Sequence, residues 1–240
     1  MRQLVQRIQS TLTGQAERAI LLKLCQVMPA VVTSDMLTLF GLLGAGMIFV
    51  AFCLAHISPA FYTLAIFGLF ANWFGDSLDG SLARYRDEER PQYGFFLDHT
   101  CDGFAMALVA TGIGLSPVVH FWCAMLGLMG YYLITILSLT TCLATGVFRV
   151  SFARIGPTEI RLVIVIATIF ALFAPLWRTT IMTCSLTAYD ISILLLTAAM
   201  VLTALAETLK TAGELSIIDP PRRERQSKQH FPDGPHAKAD

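Results

Sequence analysis

Long apolar stretches alternate with short polar ones along this chain, and the apolar stretches have membrane-crossing length. From Gly103 to Phe148 there is no Asp, Glu, Lys or Arg. Such a run exceeds the core helix of a soluble domain and accommodates two spans of about 20 residues. Ser116-Pro117 is the natural break within it, because proline disfavours a continuing helix. The pattern predicts six spans: about Met36 to Ile57, Pro59 to Arg84, Gly94 to Ser116, Pro117 to Phe148, Glu159 to Trp177 and Leu186 to Lys210. Ahead of them, Leu4, Val5, Ile8, Leu12, Ala16, Ala19, Ile20 and Leu24 recur at helical intervals against a mostly polar face. That predicts an amphipathic helix lying on the membrane surface. Thr33-Ser34-Asp35 offers a cap for the first span, with Asp35 the expected capping residue. Gly213 is the expected stop of the last span, whose end Glu207 and Lys210 mark. The expected architecture is an all-α integral membrane protein: a surface helix within residues 1–30, six transmembrane helices within 31–215, and a disordered, polar, Pro-rich tail over 216–240.

Composition agrees. Hydrophobic residues make up 55% and charged residues 14%, with mean hydropathy +0.63, against about 25% charged in soluble domains. The formal net charge is zero, which gives no reason to expect a nucleic-acid partner. The six cysteines lie mostly in apolar runs without paired short spacing, so they read as small buried hydrophobes rather than a disulfide framework or zinc site. The first residues lack the pattern of a signal peptide. With six spans, every Lys and Arg except Arg178 falls on the side that carries the N-terminus, the second and fourth loops and the tail. By the positive-inside rule that side is expected to be cytoplasmic, as in a bacterial inner membrane.

Four aspartates break the apolar pattern. The string Asp76-Ser-Leu-Asp79-Gly80-Ser-Leu-Ala83-Arg84 closes the second span, and Gly94-Phe-Phe-Leu-Asp98-His-Thr-Cys-Asp102 opens the third. Uncompensated, four carboxylates in lipid would cost on the order of 10 kcal/mol, comparable to the whole stability of a domain. Asp76 and Asp79 are three apart and Asp98 and Asp102 four apart, so each pair shares a helix face. Both pairs lie within roughly 12 Å of the same helix ends at 1.5 Å per residue, so the two antiparallel helices can turn them into one pocket. Hard oxygen ligands suit magnesium, manganese or calcium. Two such ions can clamp the attacking and leaving oxygens of a phosphoryl displacement. Gly80, costly within a helix, suits the close approach of a ligand. Arg84, one turn on, can hold a phosphate, pair with a carboxylate or simply anchor the span end.

These residues resemble the signature of the CDP-alcohol phosphotransferases, membrane enzymes of phospholipid synthesis. Eight typed positions match across two helices, and the layout of surface helix plus six spans is similar. One departure stands in the turn: nine residues separate Arg84 from Gly94 where the family has eight, at a place that tolerates insertion. The resemblance implies that Asp76, Asp79, Asp98 and Asp102 hold magnesium or manganese, two ions in all, and that Asp98 and Asp102 are catalytic, Asp102 as general base toward the acceptor hydroxyl. Physical reasoning alone leaves open which carboxylate is the base. The resemblance further implies that Gly80, Ala83, Arg84 and Gly94 bind the nucleotide, that a CDP-alcohol is the donor and that CMP leaves. A homodimer is also implied. Asp98-His99-Thr100-Cys101-Asp102 is more similar to the branch using CDP-choline or CDP-ethanolamine than to the glycerophosphate branch.

Other residues carry two readings. Arg149, Arg154, Glu159 and Arg161 gather at the start of the fifth span, as an acceptor pocket or as positive-inside anchors. His99 is one residue from Asp98 and so points off the acidic face. Gly41, Gly44, Gly127 and Gly130 permit close helix packing. Two other functional classes share the carboxylates: an ion or proton transporter and a non-catalytic protein of the same fold. Transporter sites tend to sit at the midplane in repeated halves, whereas these aspartates lie near one surface in a single copy.

Overall fold

The computed structural model describes residues 6–8, 14–149, 157–173, 178–181 and 184–221. Among them are seven helices and two short two-stranded pairs. The surface helix is shorter than its apolar pattern suggested: α1 spans Gly14–Val27. Residues Gln6–Ile8 instead form β1, parallel to β2 at Val147–Arg149, with Gln6 opposite Val147 and Ile8 opposite Arg149. The reason lies in a distant part of the chain. Gly146 ends the preceding helix with φ 74°, a conformation open to glycine. Beyond it the backbone turns extended and offers a ladder to the N-terminal segment. Leu4, Val5 and Leu12 lie outside the described residues, as do 222–240 of the expected tail.

Six helices occupy the six apolar segments: α2 Ser34–Leu54, α3 Phe61–Tyr85, α4 Pro91–Gly114, α5 Phe121–Thr145, α6 Pro157–Phe173 and α7 Ala188–Ile218. The cap of α2 is Thr33, whose hydroxyl accepts from the Met36 amide at 3.3 Å; Asp35 lies within the first turn instead and pairs with Arg90. Helix α7 continues through Gly213 to Ile218. One helical glycine costs only about 1 kcal/mol, and Leu215, Ile217 and Ile218 prolong the apolar pattern beyond it. Its start is fixed by a capping box between Thr187 and the fully buried Asp190. Asp190 also accepts from the His120 amide at 2.8 Å, tying the α4–α5 connection to α7. Between α6 and α7, β3 (Arg178–Ile181) and β4 (Cys184–Thr187) form an antiparallel hairpin.

By length and composition α2, α5 and α7 are apolar enough to cross a membrane. Helices α3 and α4, at 25 and 24 residues, are long enough, but the charged residues of the motif lower their hydropathy. Large apolar side chains such as Phe67, Phe104, Leu143 and Leu195 face outward, as in a protein solvated by lipid. The chain is an integral membrane protein.

Helices α2 and α3 pack backbone to backbone, which places the site. A Cβ on Gly75 would stand 2.4 Å from the Gly41 nitrogen and 2.5 Å from the Leu37 carbonyl. One on Gly44 would meet the Asn72 nitrogen at 2.6 Å, and one on Gly68 the Ile48 side chain at 2.7 Å. Gly41 and Gly44 thus serve packing within one chain; Gly127 and Gly130 do the same for α5 against Ile193, Thr197 and Met200 of α7. Asn72, buried on the seam, donates to the Gly41 carbonyl at 3.0 Å. Beside this seam, Leu21 and Cys25 of α1 pack with Leu37, Leu78 and Leu82. Cys123 and Cys142 are buried too, and Cys25, Cys53, Cys101 and Cys142 are free thiols.

Candidate active site

The α3–α4 turn decides how the motif halves meet. Helix α3 ends at Tyr85, Asp87 takes φ 56°, and Pro91 opens α4. Aspartate tolerates this left-handed region better than most residues. The Arg86 amide bonds the Leu82 carbonyl and the Glu88 amide that of Ala83, so the connection between the motif halves begins in an ordered turn. Arg86 donates to the carbonyls of Val32, Pro29 and Met28, pinning the α1–α2 connection onto it. Arg90 reaches Asp35 and lies 4.0 Å from the Tyr93 ring centre. Its hydrogen bond to Asp35 raises the guanidinium pKa further above its ordinary value.

With the helices so joined, oxygens of Asp76, Asp98 and Asp102 come within 4.8 Å of one another. These three are partly exposed. They line one small cavity with Thr38, Gly41, Leu42, Asn72, Cys101 and Ala105. Asp79 stands apart. It is buried, and its carboxylate accepts from the Thr38 hydroxyl at 2.6 Å and from the Gly80 amide. The Ser34 hydroxyl donates to its backbone carbonyl at 2.8 Å. Two hydroxyls of α2 therefore hold Asp79, and neither was visible as a site residue in the sequence. Thr38 follows Ser34 by four positions, the spacing of one helix face.

Arg161 enters the cluster from α6. Its guanidinium is 2.7 Å from Asp76 and 4.0 Å from Asp102, with the side chain 14% exposed. Of the four residues expected at the start of the fifth span, it is the one seen at the carboxylates. Arg149 ends β2, Glu159 lies in the first turn of α6, and Arg154 is outside the described residues. Of the expected nucleotide residues, Gly80 has the Arg84 guanidinium over its Cα, 3.4 Å from where a Cβ would be. Arg84 also bonds Ser81. Ala83 is half-buried, and Gly94 is exposed, with nothing among the described residues within 4 Å of where a Cβ would be. His99 stacks on Phe95 and its Nδ1 is 2.9 Å from the Phe95 carbonyl and 3.5 Å from Asp98.

The donor set fits a divalent cation: three carboxylates lining one small cavity, with hard oxygens of the type that Mg2+, Mn2+ and Ca2+ select. A positive group is already directed at two of them. Three carboxylates this close together repel one another, and a positive group offsets that repulsion.

The comparisons with known proteins agree with this geometry. The profile of the CDP-alcohol phosphatidyltransferase family matches residues 31–205. The chain belongs to the CDP-alcohol phosphatidyltransferase family. It is therefore a transferase of substituted phosphate groups in phospholipid biosynthesis, which sets aside the transporter and non-catalytic readings. Among proteins of curated function none matches. A solved structure of the same fold is the Mycobacterium tuberculosis phosphatidylinositol phosphate synthase with CDP-DAG bound: TM-score 0.55, 17% identity, covering 82% of this chain and 94% of that one.

Proposed function

We propose that this protein transfers a phosphate-linked alcohol from a CDP-alcohol donor to the hydroxyl of an acceptor, with release of CMP, at a divalent-metal site on the cytoplasmic side of a six-span domain in a bacterial inner membrane. The observation that carries the reading is the convergence of Asp76, Asp98 and Asp102 within 4.8 Å on the two helices that bear the family's motif. Asp76, Asp98 and Asp102, with Asp79 as the remaining motif carboxylate, would hold magnesium or manganese, two ions in all. When bound, these ions supply positive charge that neutralises a diphosphate and polarises the phosphorus–oxygen bonds.

The protein's own residues do the rest. Asp102 accepts the proton of the attacking hydroxyl as general base. That oxygen attacks the phosphorus bearing the transferred alcohol, and CMP departs. Gly80 and Ala83 would line the nucleotide pocket, and Arg84 and Gly94 would border it. Arg161 is a planar donor suited to a phosphate or carboxylate, which favours an anionic acceptor. The neighbouring fold was solved with CDP-DAG bound, which supports a lipid-linked CDP donor. Association as a homodimer is the arrangement the family resemblance implies.

The test is a substrate panel. Purified protein with magnesium is given CDP-diacylglycerol, CDP-choline or CDP-ethanolamine, each with glycerol phosphate, inositol, inositol phosphate, serine or diacylglycerol. One donor–acceptor pair is expected to release CMP in step with lipid product. No CMP from any pair would refute the proposal.

A further inference from the structure

Glu17 of α1 is bound to α3 and α6, two of the three helices that meet at the acidic site. Its Oε1 accepts from the Trp73 indole at 3.0 Å and the Ser77 hydroxyl at 3.2 Å, both on α3, and from the Thr158 hydroxyl at 2.9 Å, in the first turn of α6. The bonds close a ring of contacts. Ser77 is the neighbour of Asp76 in sequence, and Thr158 precedes Arg161 by three residues, one helical turn. Arg161 in turn pairs with Asp76. Glu17, Leu21 and Cys25 recur at four-residue intervals, so one face of α1 carries the carboxylate and the apolar residues that pack on Leu78 and Leu82 of α3. A carboxylate on the buried face of an amphipathic helix has no packing reason to be there. Here it fixes α6 against α3 at the depth of the catalytic aspartates.

We propose that Glu17 is a positioning residue: by holding the first turn of α6 to the Asp76 face of α3, it sets where the Arg161 guanidinium stands among the carboxylates. The consequence for catalysis rests on the reading of Arg161 and the aspartates given above; the mechanical claim does not. With Glu17 removed, the start of α6 is held less tightly. Arg161 then no longer stays at Asp76 and Asp102, and a competing positive charge leaves the cluster.

The experiment uses the full chain in lipid nanodiscs with Glu17→Leu, Glu17→Gln, Arg161→Ala and the double variant Glu17→Leu/Arg161→Ala. Hydrogen–deuterium exchange is read at residues 160–165, and Mn2+ binding is read by electron paramagnetic resonance. Glu17→Leu is expected to speed exchange at the start of α6 while α5 is unchanged. It should tighten Mn2+ binding by roughly three- to tenfold, within the range of coupling between contacting groups. Glu17→Gln keeps an acceptor oxygen and should behave like the parent. Arg161→Ala should tighten Mn2+ binding at least as much, and adding Glu17→Leu to it should change nothing further. Unchanged exchange at 160–165, faster exchange throughout α5, or an Mn2+ shift that persists in the Arg161→Ala background would each overturn the proposal. If the parent protein bound no Mn2+, the metal reading would fail, and the exchange result would still decide the role of Glu17.

Discussion

Asp79 differs from the other motif carboxylates in what it touches. It is buried, and its side chain is held by Thr38 and the Gly80 amide. A buried carboxylate deprived of a donor keeps its desolvation cost. Thr38→Val, near-isosteric but without the hydroxyl, should lower stability by about 1–3 kcal/mol. That would appear as a lower unfolding midpoint in detergent; an unchanged midpoint would mean that the bond contributes nothing. Asp98 faces the cavity instead. Asp98→Asn should reduce turnover by roughly a hundredfold or more, the scale on which losing one electrostatic group acts in an active site, while leaving membrane insertion intact. Substantial residual activity would refute its place among the ligands. The sequence displayed the aspartates because charge is conspicuous in an apolar run. It did not display their division into three that converge and one held apart, because that depends on hydroxyls of α2 some 40 positions away. Arg161 was one of four candidates at the fifth span, and nothing in the spacing of the sequence indicated that it would pair with Asp76.

The glycine seam of α2 and α3 explains how carboxylates at the ends of two joined helices come to face a common cavity with α2. Gly41 and Gly44 were recognisable as small residues at helical spacing; Gly68 and Gly75 were not, since a glycine in a sequence does not reveal which backbone it will meet. Gly75→Ala would drive a methyl into the Gly41 backbone and the Leu37 carbonyl. Backbone atoms cannot rotate aside, so overpacking of about 1–3 kcal/mol is expected, with loss of activity as α3 is displaced. Gly103→Ala is the contrasting case. A Cβ there meets nothing within 4 Å, and alanine is favoured in a helix by about 1 kcal/mol. Thermal unfolding of both variants measures the difference; equal stability would contradict backbone-to-backbone packing. At this scale the six helices α2–α7 followed the apolar pattern closely, because that pattern is local. The ends departed where a distant partner intervened, as with β1 on β2, or where a signal was weak, as with Gly213 inside α7.

For the molecule as a whole, apolar residues cover the outward faces of the helices, and charged residues concentrate at one end of the expected bundle. The account predicts that an alkaline phosphatase fusion after Arg178 is active and one after Lys210 is inactive, since the former would lie outside and the latter in the cytoplasm. The reverse pattern would invert the topology and remove the site from a cytoplasmic nucleotide. The order and approximate extent of the helices could be read from hydropathy. Their mutual packing and the tie from α1 to α6 through Glu17 could not, because these contacts join residues as many as 141 positions apart.

The central claim is that Asp76, Asp98 and Asp102 act together on a CDP-linked phosphate. Its most direct measurement is the appearance of CMP in proteoliposomes supplied with the donor and acceptor identified by the substrate panel, with magnesium or with EDTA, for the parent protein and for Asp98→Asn. CMP formed by the parent protein with magnesium, and at background level in the other three conditions, is the predicted result. CMP formed at the same rate by Asp98→Asn, or undiminished by EDTA, would contradict it.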